Sequence, residues 1–83
     1  PLSFHKSAKP AAIAAVAADK QGKFWEMHDK LFANQKKLSP SDLEGYAKEI
    51  GLDIATFKKD VQDPAVGKFV DNNQAIAVAL GAT

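Results

Sequence analysis

Gly22-Lys23-Phe24-Trp25-Glu26-Met27-His28-Asp29-Lys30-Leu31-Phe32 carries the only tryptophan, the only methionine and two of the five phenylalanines of this 83-residue chain. At about 100° per residue, Phe24, Trp25, Met27, His28, Leu31 and Phe32 fall on one contiguous arc of roughly 160°. Glu26, Asp29, Lys30, Ala33 and Asn34 fill the opposite side. The spacing predicts a helix that turns its aromatic arc to a core and its polar back to water. Glu26 and Lys30 stand four residues apart, the spacing of a helix-stabilising ion pair worth about 0.3 kcal/mol.

Upstream, Pro1 to Lys6 alternates Leu2 and Phe4 with Ser3 and His5, the period of an extended lead-in. Ser7 is placed to cap a helix whose first turn holds Pro10, where a missing N–H does no harm. That helix runs through Ala11-Ala12-Ile13-Ala14-Ala15-Val16-Ala17-Ala18, and Gly22 ends it. It is apolar around its whole circumference for more than two turns, the pattern of a helix covered on several sides. So small a bundle offers little to cover it, and the expectation is that a second domain lies against it. The competing reading is that the run reflects only alanine's helix propensity.

Downstream, Gln35 to Leu38 reads as a loop. Ser39-Pro40-Ser41-Asp42 is a full helix start: Ser39 as cap, Pro40 at the first helical position and Asp42 as the reciprocal acid. Leu43, Tyr46, Ala47 and Ile50 form the buried stripe of that helix, and Gly51 closes it. Asp53 caps a short helix using Ile54, Phe57 and Val61, and Asp63-Pro64 repeats the cap-then-proline signal. The last helix is expected to run unbroken from Val66 through Phe69, Val70, Asn73, Ile76, Ala77 and Leu80 to Gly81. The fold expected is therefore all-α, a compact bundle of about five short helices forming a single helical domain over residues 1–83.

Composition narrows the function. Hydrophobic residues at 46% and charged residues at 25% are those of a globular domain. The net charge is +1, and all eleven basic residues are lysine, so no arginine fork is available to grip phosphates or guanine edges; no nucleic-acid partner is expected. The longest apolar run, Pro10 to Ala18, is far short of the about 20 residues that span a bilayer, and no membrane partner is expected. Cysteine is absent, which removes thiolate nucleophiles, disulfides and sulfur-ligated metals from these residues. The opening at Pro1 without methionine and the stop at Thr83 read as the edges of a piece cut from a longer protein.

Few side chains are candidates for chemistry. His28 lies near the centre of the aromatic arc, between Phe24 and Phe32, and a buried imidazole needs a partner. Asn73 lies near the centre of the last helix's apolar stripe, so these two buried polar groups are expected to satisfy one another, directly or through water. No second histidine or carboxylate stands at ligand spacing on the face of His28, so no metal site is expected there. His5 reads as an exposed or domain-boundary residue, and Trp25 as a core or interface anchor. Lys36-Lys37 and Lys58-Lys59 read as solvated faces. No phosphate loop, Ser/His/Asp set or carboxylate pair can be drawn, so catalytic residues, cofactor-binding residues and cofactors are all expected to be none.

The run Phe24-Trp25-Glu26-Met27-His28-Asp29-Lys30-Leu31-Phe32, the upstream Pro1, Leu2, Phe4 and His5, and the later Tyr46-Ala47-Lys48-Glu49-Ile50-Gly51-Leu52-Asp53 resemble the helical insertion domain of DsbA-like thiol:disulfide oxidoreductases. The resemblance covers nearly the whole chain. It implies a parent with a thioredoxin fold interrupted by this bundle, acting on protein thiols and disulfides in an extracytoplasmic compartment. The Cys-x-x-Cys and cis-proline loop of such a parent would lie outside these residues. The missing thioredoxin-fold domain is then the partner, and Leu2, Phe4, Ala11, Ala15, Ile76 and Leu80 are expected to form the interdomain surface. Left exposed, that surface would drive self-association. The alternatives are the helical domain of a glutathione-dependent isomerase or kappa-type transferase, and a free-standing helical interaction module.

Overall fold

Helix boundaries in this chain are written largely by its caps. A computed structural model describes residues 8–73. Over them run α1 (Ala8–Lys20), α2 (Phe24–Ala33), α3 (Pro40–Glu49), α4 (Ile54–Val61) and α5 (Pro64–Asn72). No strand occurs among the described residues, so the all-α class and the five short helices stand as expected. Ser7, the expected cap of α1, and the lead-in lie outside the described residues.

Two glycines end helices in the left-handed conformation. Gly22 has φ 75° and Gly51 φ 85°. Behind Gly22, Lys23 N–H donates to Ala18 O and Gly22 N–H to Asp19 O, each at 2.9 Å. Behind Gly51, Leu52 N–H donates to Ala47 O at 2.9 Å and Gly51 N–H to Lys48 O at 3.1 Å. This double closure occupies carbonyls that a helix end otherwise leaves orphaned. A side chain at either glycine would be strained by the positive φ.

The N-termini obey the sequence signals as fully. Ser39 Oγ accepts from Asp42 N–H at 3.2 Å while Asp42 Oδ2 accepts from Ser39 N–H at 3.2 Å, a complete capping box ahead of Pro40. Asp53 caps α4 and Asp63 caps α5. The Thr56 hydroxyl and then the Thr56 N–H, both donating to Asp53, hold that carboxyl below its ordinary range. Gln21 adds a long-range tie that the sequence did not announce. Its Oε1 accepts from Asp53 N–H at 2.9 Å and its Nε2 donates to Asp53 O at 3.2 Å, fastening the α1–α2 turn to the start of α4.

The core forms around α1, which packs against each of the other four helices. Ala11, Ala12, Ala14, Ala15, Ala17 and Ala18 are all 0–2% exposed. The chain's own helices thus cover the alanines of α1, while Ile13 and Val16 of the same helix stay partly exposed. An alanine surface adds little radius to the helix, so four neighbours fit close around it and the chain supplies its own cover. Met27 and Leu31 of α2, Leu43, Tyr46 and Ala47 of α3, Phe57 of α4, and Val66 and Val70 of α5 close the core.

Two helix readings are corrected. α5 ends at Asn72, with Asn73 at φ −130° and ψ 58°, so the run expected from Val66 to Leu80 breaks at Asn73. The Asn73 side chain competes with helix continuation by donating its Nδ2 to Phe69 O at 2.7 Å. Positions 74–83 lie outside the described residues. Lys30 does not pair with Glu26: it reaches Glu49 at the end of α3, because its place on the helix faces that neighbour. Lys9 with Asp71 at 2.9 Å and Lys58 with Glu44 at 3.3 Å join α1 to α5 and α4 to α3, exposed pairs worth at most about 1 kcal/mol each.

Candidate functional site

The arc on α2 divides lengthwise. Met27 and Leu31 are 0% and 1% exposed, Phe24 is half-buried, and beyond it Trp25 and Phe32 stand 67% and 59% exposed. A core normally takes an apolar stripe of about 100°, and this one spans roughly 160°, so about a third of it is left over. The leftover third is Trp25, His28 and Phe32. The reading of Trp25 and Phe32 as core side chains is thereby corrected.

These rings order one another. Phe24 and Trp25 meet edge to face with centroids 5.0 Å apart, and Trp25 and His28 do so at 5.1 Å. His28 stacks with Phe24 at 6.2 Å and with Phe32 at 6.1 Å, the latter pair within 8° of parallel. The one-turn spacings 24, 28, 32 and 25, 28, 32 put them in reach. Such aromatic contacts contribute about 0.5–1.5 kcal/mol beyond area burial, enough to hold rotamers on an open surface.

His28 was expected to be buried and matched with Asn73. Instead it is half-buried, its Nδ1 sharing a hydrogen bond at 3.2 Å with the exposed Asp29 carboxylate. Asn73 is spent on the Phe69 carbonyl. No buried polar side chain occurs among the described residues, so the two never needed each other.

The expected interdomain surface fares differently residue by residue. Ala11 and Ala15 are 2% and 0% exposed, inside the bundle's own core. Leu2, Phe4, Ile76 and Leu80 lie outside the described residues. Phe69, expected on the buried stripe of α5, is 48% exposed at the edge of an apolar cleft of about 600 Å³ bordered by Val16, Phe24 and Val66. A second cleft of about 440 Å³ lies between α1, α3 and α4 among Ile13, Leu43, Phe57 and Val61.

The described residues hold no group of three or more His, Asp or Glu able to bind a metal. Among the described residues, Tyr46 has its ionisation pushed up, first by burial and then by the Asp42 and Glu49 carboxylates, with Lys30 opposing. Its hydroxyl donates to Lys37 O at 2.7 Å, pinning the α2–α3 loop, which is a structural use. Trp25 and Phe32 on α2, with Phe69 on α5, are the exposed large apolar side chains among the described residues. For the α2 pair, the signal that could have found them was the width of the arc.

The model of the DSBA-like thioredoxin domain matches residues 1–83. Among curated proteins, the chain is 51% identical over 59 residues to Na(+)/H(+) antiporter NhaA 1 of Salinispora arenicola, covering 71% of this chain and 9% of that protein. It is 43% identical over 81 residues to Na(+)/H(+) antiporter NhaA of Herminiimonas arsenicoxydans, covering 98% of this chain and 13% of that protein. The chain thus spans about a tenth of the length of these curated relatives. No solved structure matches it.

Proposed function

We infer function from one premise: this chain belongs to the DSBA-like thioredoxin domain family. We propose that it is the non-catalytic helical insertion domain of a DsbA-like thiol:disulfide oxidoreductase, packing on the thioredoxin-fold part and shaping the surface that protein substrates meet. One observation carries this: a match over residues 1–83 to a thioredoxin-domain family by a chain with no cysteine. Thiol–disulfide exchange proceeds by attack of a thiolate, so the chemistry has to come from elsewhere in the parent. The five-helix architecture, without a strand among the described residues, fits an inserted bundle. The relatives' far greater length leaves room for a catalytic portion.

The test compares the 83-residue chain with its full-length parent in a disulfide-exchange assay on a reduced, unfolded protein. The chain alone should show no exchange, and the parent should show it, dependent on a cysteine pair. A parent lacking redox-active cysteines would overturn the reading.

A second reading follows from the names of the relatives. In it, the bundle belongs to a domain joined to a Na(+)/H(+) antiporter, occupying the small share of such proteins that matches. No described helix is long and apolar enough to cross a membrane, which suits a segment lying outside the transporter's spans. The flanking gene sequence separates the readings: a run of apolar segments of about 20 residues would mark the antiporter, and a Cys-x-x-Cys within the adjoining domain would mark the oxidoreductase. Finding both would join them in one protein.

A further inference from the structure

We draw no further inference here: the strongest candidate, the apolar cleft between α1, α2 and α5 bordered by Val16, Phe24, Val66 and Phe69, is an unpartnered apolar face, and nothing in the structure shows what covers it.

Discussion

α1 and α2 lie side by side and use apolar side chains in opposite ways. The six alanines between Ala11 and Ala18 are small, and none reaches solvent; Trp25 and Phe32 are large and stand mostly outside. A core is made by fit, so side chains that let backbones close in can contribute more to it than bulky ones that hold them apart. Large aromatics left outside the core are in surplus for folding.

The contrast can be broken by substitution. On the buried side of α2, Leu31→Ala should cost about 2–5 kcal/mol, read as a shift in the urea midpoint, because a fully buried leucine leaves a cavity against α1. In α1 the damage should come from addition: Ala15→Leu forces a larger side chain into a site with 0% exposure and should cost about 1–3 kcal/mol. Were Ala15→Leu neutral, α1 would not be the tightly wrapped centre described. Tyr46→Phe should cost about 1 kcal/mol through loss of the bond to Lys37 O.

Tyr46 also supplies a pH dependence. Its folded-state ionisation is raised above the ordinary 10.0, chiefly by burial, so its contribution is complete below that value. It is lost as pH climbs through the raised value, because the unfolded chain ionises first. Alkaline denaturation should therefore begin later in Tyr46→Phe than its neutral-pH stability implies. On the exposed half of α2, Trp25→Ala should cost under about 1 kcal/mol, the remnant of its contacts with Phe24 and His28. A large loss there would place Trp25 in the core after all.

Much of the fold was legible because it is local. Ser39-Pro40-Ser41-Asp42, Asp53, Asp63-Pro64, Gly22 and Gly51 each fix a helix end through bonds within a few residues, and each reads correctly. The site was less legible because it depends on neighbours. Helical projection placed Trp25, His28 and Phe32 on the apolar side, but which part of that arc faces α1 depends on the packing of other helices. Lys30 chose Glu49 over Glu26 for the same reason, and the Gln21–Asp53 tie spans thirty-two positions with no local signature. Asn73 ended a helix that periodicity alone would have continued, since its amide found the Phe69 carbonyl.

The central claim is that the aromatic half of α2 stands open beside a buried alanine helix. Trp25 is the only tryptophan of the chain, so collisional quenching of its fluorescence by iodide reports this directly. The account predicts ready quenching and red-shifted emission from the folded chain. Blue-shifted emission shielded from iodide would contradict it.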